Sequence, residues 1–472
     1  MTVQFIFAQH LGKVRMSLIL WLSVTALICC VQASAEICSF CNCKGGIVDC
    51  SKQGLENHFN DSSWSGIIQV DSIVLDFNKI IHLKPFPPIG TTKLSIRHNY
   101  ITKIDDAAFR SITNLTELDL SYNHLTSAAF SPHIFKGNYS PQFYQPLNIT
   151  ILHLSGNMIH SLKNDIFEHL PNLKVLSIDS NPLKTIDMST AIAISSIYHL
   201  EVLDISSSQL RSLPPTFLHG PTHLKVLNMS NNFFTEVPNT LGEVHSLEEL
   251  ILDDNPISQI TSFPEIPTLK ILKINWMLAL RKIGNGSLSG LINLEELHCS
   301  HNRLLSSISE DAFKHKPWGT EETPTWPPLR KLLLHHNDLS YLDFNLVSRW
   351  DKLEYIDIQM NPWICDCNNQ WMLTTLIPRI NATNSSLLYG IECDKPVEME
   401  GQSFYQLSEK GSHMRCLDLY GNQPDKDDVI LIIVVILVFA IMPIVMAFIV
   451  FVLYKNVKNN YHHTSYKNLQ NS

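Results

Sequence analysis

Hydrophobic residues return along this chain in one fixed phrase. Leu115-x-x-Leu118-x-Leu120-x-x-Asn123-x-Leu125 sets it, and the same positions are filled from Leu173 to Leu183, Leu247 to Ile257, Leu294 to Leu304 and Leu329 to Leu339. Softer copies start at Val70, Thr91, Ile149, Leu200, Leu224, Leu269 and Leu353. Within a copy, the alternation Leu118-Asp119-Leu120 predicts a short strand with its leucines facing a core and Asp119 facing out. The recurring asparagines are Asn78, Asn99, Asn123, Asn157, Asn181, Asn232, Asn255, Asn302, Asn337 and Asn361. An amide at this point can pair backbone groups that the bend after the strand would otherwise bury. Ser208 and Met277 take its place in two copies, and a later Phe, as at Phe109, Phe167, Phe217 and Phe313, completes most of them.

One copy cannot bury its own leucines. A step of about 24 residues, repeated about twelve times over 70–360, therefore predicts stacked strands in a parallel sheet over one continuous curved core, not a string of domains. Stacking leaves two apolar ends, and cysteines stand at both. Cys38, Cys41, Cys43 and Cys50 precede the first copy, within 36–69, while Cys365, Cys367, Cys393 and Cys416 follow the last, within 361–417. Each set reads as a disulfide cap in an oxidising compartment, and each admits three pairings. Zinc is the competing use of Cys38-x-x-Cys41, and the secreted context argues against it. Cys299 replaces a strand leucine and is expected to be a buried free thiol.

The repeat and its cysteine flanks resemble the extracellular leucine-rich-repeat family, as in Slit-type, adhesion-type and Toll-like receptor ectodomains, from about Cys38 to Cys416. The resemblance implies an α/β solenoid: a curved horseshoe with a parallel concave sheet and disulfide caps at both ends. Asn361-Pro362-Trp363 before Cys365 and Trp371 after Cys367 are similar to the family's C-terminal cap. They imply first-to-third and second-to-fourth pairing in each set.

Two apolar runs bear on the compartment. Lys13 and Arg15 precede the run from Met16 to Val31, which closes on Ala33-Ser34-Ala35, so residues 1–35 read as a cleaved secretory signal with Met1 or Met16 as initiator. Residues 429–454 contain no Asp, Glu, Lys or Arg and are long enough to cross a bilayer once. Asp427 and Asp428 in the linker 418–428 stand before that run, and Lys455 and Lys458 stand after it. The positive-inside bias then predicts a type I plasma-membrane protein with a cytosolic tail at 455–472. Glycosylation sequons lie at Asn60, Asn114, Asn138, Asn148, Asn228, Asn285, Asn381 and Asn384, all before the span. Asn228 occupies an outward strand position, where a glycan would stand on the sheet.

Composition narrows the partner. With 472 residues, 45% hydrophobic, and 35 Lys plus Arg against 44 Asp plus Glu, the chain is neither disordered nor basic enough to seek nucleic acid. No catalytic motif or cofactor signature is present, and neither enzyme chemistry nor a cofactor is expected. Candidate contacts fall on the outward strand positions, where His298, His301, His335 and His336 suit a pH-sensitive contact or, less readily, a metal. Asp119, Asp179, Asp204, Asp253 and Asp254 form an acidic strip that suits a basic partner. Two overlong copies carry insertions with Phe143 and Tyr144 in the first and Trp318 and Trp326 in the second, aromatic anchors for a protein partner or packing against the solenoid. Tyr466-x-x-Leu469 in the tail resembles a sorting signal for an endocytic adaptor. The expected function is a cell-surface receptor, adhesion protein or co-receptor that binds an extracellular or cell-surface protein. An innate-immune pattern receptor or decoy without its own signalling domain is the alternative.

Overall fold

The computed structural model describes residues 36–112, 114–316, 323–417 and 427–469. Residues 1–35, Trp318 with its insertion neighbours, and most of the linker 418–428 lie outside the described residues. The repeats stack into a solenoid. Twelve strands, from Ser72–Val74 to Tyr355–Asp357, pair in parallel in one sheet, which the strand Ile47–Asp49 of the N-terminal cap extends in the same direction. The hairpin partner Asn42–Lys44 closes that edge antiparallel.

Register is strict because the buried side chain must recur on the same side of every strand. Leu94, Leu118, Leu152 and Leu176 are direct partners across neighbouring strands, as are Leu203, Leu227, Leu250, Leu272, Leu297 and Leu332. All are buried to within one percent. Each such burial contributes roughly 1.5–3 kcal/mol, which no isolated turn could secure. Across the turn, short parallel pairs such as His82–Leu83 with Lys103–Ile104 face inward with Leu83 and Ile104. Buried rings complete the interior: Phe86 stacks near Phe109 and Phe109 near Phe135 at centroid distances of 6.1 and 6.3 Å.

The asparagines form a second ladder. Asn181 Nδ2 donates to the carbonyls of Leu154, Ile178 and Asp179 at 2.9, 3.0 and 3.1 Å, and its Oδ1 accepts from Ile159 N at 3.0 Å. One amide thus joins its own bend to the preceding copy, at a buried position. Where Ser208 stands instead, its Oγ reaches only the Ser206 carbonyl at 3.0 Å, and its own N–H is taken by Asn232 Oδ1.

Disulfides staple both ends. Cys38 is joined to Cys43 and Cys41 to Cys50; Cys365 is joined to Cys393 and Cys367 to Cys416. In the C-terminal cap the helix Ile377–Asn384 buries Ile377 and Ile380, and Trp363 is buried with its Nε1 donating to the Ile358 carbonyl at 3.2 Å. A separate helix spans Asp427–Leu469, and its segment Ile432–Lys458 is long and apolar enough to cross a membrane. The helix continues past Tyr454 to Leu469.

Candidate functional site

The residue just before each asparagine builds the surface that matters. Its N–H donates to a carbonyl one copy further on, as Phe77 does to Arg97, His98 to Ser121, Trp276 to Ser300, and His301 to His335, at 2.9, 3.2, 3.0 and 3.0 Å. Making that bond while turning out of the strand requires the left-handed region. Phe77, His98 and Tyr122 have φ of 57, 52 and 55°, and Trp276, His301 and His336 have 57, 60 and 56°. Few non-glycine residues adopt this conformation, so its recurrence aligns successive side chains over one another.

Two runs of these rungs carry rings. In the N-terminal run, His98 lies between Phe77 and Tyr122, stacked at 4.4 and 4.5 Å with interplanar angles of 9 and 5°. Lys52 and Arg97 approach the outer rings, with Lys52 Nζ 5.4 Å from the Phe77 centroid and Arg97 Cζ 5.7 Å from that of Tyr122. Gly156 occupies the next rung at φ 63°, where a Cβ would come within 2.6 Å of Tyr122 Cδ1. The missing side chain is what lets the tyrosine ring lie there.

In the C-terminal run, Trp276 stacks on His301 at 4.0 Å and 4°, and His301 on His336 at 4.6 Å and 24°. His335, one position earlier, meets His301 edge-on at 4.9 Å. Its Nδ1 lies 2.9 Å from His336 Nδ1, and its Nε2 lies 4.0 Å from Asp357 Oδ2. Of the four histidines expected to cluster, three do. His298 is diverted by Glu296, whose Oε2 sits 2.9 Å from its Nε2. Burial, and then the neighbouring imidazoles, hold His301 below the usual histidine range, while burial does the same for His335. The packing that brings His301 and His335 together therefore opposes the charging of these two rings.

The acidic strip is also altered by its surroundings. Asp179 accepts from Ser155 Oγ and Ser180 Oγ, Asp204 accepts from Asn228 Nδ2 at 2.9 Å, and Asp253 accepts from Asn275 N at 2.7 Å. Burial raises the pKa of both Asp179 and Asp253. Asp179, Asp204 and Asp253 are thus joined to neighbouring copies in a hydrogen-bonded seam, while Asp254 is exposed. Asn228 belongs to that seam and is half-buried, whereas the other seven sequon asparagines are exposed.

The insertions divide similarly. The first forms the hairpin Asn138–Ser140 with Phe143–Gln145, from which Tyr139 and Phe143 project, 79% and 66% exposed. Tyr144 turns back, its hydroxyl 2.8 Å from His169 Nδ1. In the second, Trp326 is half-buried and packs against the core, with Lys314 Nζ 5.9 Å from its ring centroid. Cys299 is buried and unbridged, with Asn302 Nδ2 at 3.3 Å from its Sγ, and burial pushes its thiol up to about 12. Tyr466 and Leu469 lie at the end of the long helix. Sequence reasoning missed Phe77, His98, Tyr122 and Trp276; the signal available was the recurrence of rings immediately before the asparagine or, for Trp276, before the Met277 that replaces it.

Repeat, strand ladder and caps together define a leucine-rich-repeat protein with a disulfide-stapled cap at each end. Profiles described as Leucine rich repeat match residues 89–139, 148–197 and 198–257, and a further one, Leucine Rich Repeat, matches 293–315. Among curated relatives, podocan of Mus musculus is 25% identical over 363 residues, covering 65% of this chain and 57% of podocan. Lumican of Gallus gallus is 27% identical over 239 residues, covering 43% of this chain and 68% of lumican. Among solved structures, one of a Toll–Spatzle complex from Drosophila is similar at a TM-score of 0.43 and 19% identity, over 74% of this chain and 56% of that one.

Proposed function

We propose that this chain is a single-pass, type I cell-surface protein whose repeat solenoid binds another protein in an adhesive or co-receptor role. The observation that carries the reading is the array of stacked rings on a rigid parallel sheet. Phe77, Tyr122 and Trp276 are 50, 42 and 47% exposed, yet each is held by its rung. Rigid, half-exposed aromatics lose little conformational freedom on contact and are the side chains that concentrate binding energy at protein interfaces. The capped ends and exposed sequons fit an extracellular solenoid, and Ile432–Lys458 would anchor it in the bilayer. Such a surface acts by contact and not by turnover.

The test is to express the full chain on non-adherent cells, score aggregation, and label its surface neighbours by proximity. Aggregation, or reproducible labelling of one surface or secreted protein that is lost in a Phe77→Ala/Tyr122→Ala/Trp276→Ala variant, supports the proposal. Capture of a microbial glycan or lipid with neither of these outcomes would overturn it in favour of a pattern receptor or decoy.

A further inference from the structure

The C-terminal ring ladder differs from every other part of the described sheet in gathering three imidazoles that face one another. We infer that His301, His335 and His336 form a binding site for one divalent transition-metal ion of the zinc class, with a further coordination position open to solvent. This inference stands apart from the protein-contact reading, because it rests on ligand geometry alone.

One nitrogen from each of the three rings can be chosen so that all lie within 4.8 Å of one another. Zinc–nitrogen bonds of about 2.0–2.1 Å in a tetrahedral site place ligand nitrogens about 3.3 Å apart. His335 Nδ1 and His336 Nδ1, at 2.9 Å, are already close to that spacing. The two sides that involve His301 are no longer than 4.8 Å, and closing them requires that ring to turn out of its stack on His336 so that its nitrogen points at the other two. Nitrogen-only donors favour zinc, copper or nickel over calcium or magnesium, which require oxygen ligands.

The support around the site matches what a metal needs. Asp357 is buried, and its Oδ2 lies 4.0 Å from His335 Nε2, longer than a hydrogen bond, while Nδ1 of the same ring is the nitrogen that faces His336. Once drawn to hydrogen-bond distance on metal binding, that carboxylate would fix the imidazole's tautomer and orientation and raise its basicity. Trp276, stacked at 4.0 Å, restrains His301 from its other side. His336 is exposed, so water or a donor from a partner can reach the open position. The equivalent N-terminal ladder lacks the set: His98 is the single imidazole between a phenylalanine and a tyrosine.

The probe is zinc chloride, titrated calorimetrically into the full-length protein purified in detergent through a tag that contains no histidine. Cobalt(II) absorption serves as a second readout of geometry. The expected result is one tight equivalent with a tetrahedral or five-coordinate cobalt spectrum. His335→Ala/His336→Ala should weaken that equivalent by at least ~100-fold, and Asp357→Asn by ~10-fold, since losing an orienting partner costs about 10–100-fold in affinity. His98→Ala and His298→Ala should leave it unchanged. If the double variant loses its cooperative melt, His336→Ala, at an exposed position, replaces it. Absence of a tight equivalent, or one that survives loss of these ligands in a folded variant, would overturn the inference.

Discussion

Phe77, His98 and Tyr122 near one end of the sheet, and Trp276, His301 and His336 toward the other, occupy the same rung of the same repeat. Both triplets lie in the left-handed region and stack at 4.0–4.6 Å. What differs is which rings stand on the rung, one imidazole against two, and the residue one position earlier. At the N-terminal run it is Asp76, Arg97 or Ser121, and Arg97 lies over the Tyr122 ring while its Nε is 3.4 Å from Asp119. At the C-terminal run it is His335, backed by Asp357. The backbone thus supplies a generic stacking column, and the residues on the rung and just before it set whether that column presents an aromatic–cation surface or a cluster of imidazoles. A solenoid can change its chemistry at one rung without disturbing the next, because each copy packs only on its neighbours.

The largest expected effect comes from removing the amides behind the two columns. Asn123 Nδ2 donates to the carbonyls of Ile96, Leu120 and Ser121, and Oδ1 accepts from Ile101 N. Asn302 donates to one carbonyl and the Cys299 sulfur, and accepts from Met277 N. Asn123→Ala should therefore cost about 2–4 kcal/mol and Asn302→Ala less, because fewer buried polar groups lose a strong partner. Equal losses in chemical denaturation would contradict the idea that the two columns are held with different strength.

Gly156→Ala comes next, at about 1–2 kcal/mol. Its φ of 63° strains a residue that carries a Cβ, and here the new Cβ would also displace Tyr122. A lowered melting temperature with unchanged zinc binding would show that the columns are independent. Trp276→Ala should cost about 1 kcal/mol through loss of stacking and weaken zinc several-fold by freeing His301. A zinc titration identical to wild type would separate the tryptophan from the site.

The smallest effect is expected between the columns, where Glu201 accepts from Lys174 and Lys225 at 2.9 Å each. Those two lysines lower its pKa from 4.5 to about 2. A depressed carboxylate pKa stabilises the fold above the unfolded value and loses that contribution as pH falls from about 4.5 toward 2. Solvent screening keeps the amount small, at most about 0.5 kcal/mol, so Glu201→Gln should shift neutral-pH stability barely and flatten the acid limb of a melting-temperature profile. An acid limb unchanged in the variant would remove this triad from the stability of the middle copies.

Much of the scaffold was legible in the order of residues. Leucine and asparagine spacing determined the strands, the parallel sheet, the buried amide ladder and the number of copies, because each of those follows from a local period that one chain segment carries by itself. Cysteine placement determined that both ends would be stapled. Where the rings would go was decided only by the tertiary structure. Phe77, His98 and Tyr122 are separated by a full repeat in sequence, and nothing local reveals that a left-handed rung stacks them. His298 and His301 looked equivalent as outward histidines, until Glu296 took one and Trp276 the other. The acidic strip looked free until Asn228 and Asn275 from the following copies reached back to it. Periodicity fixes which side of the sheet a residue faces; only the packing of successive copies decides which neighbour it meets there, and that meeting sets its chemistry.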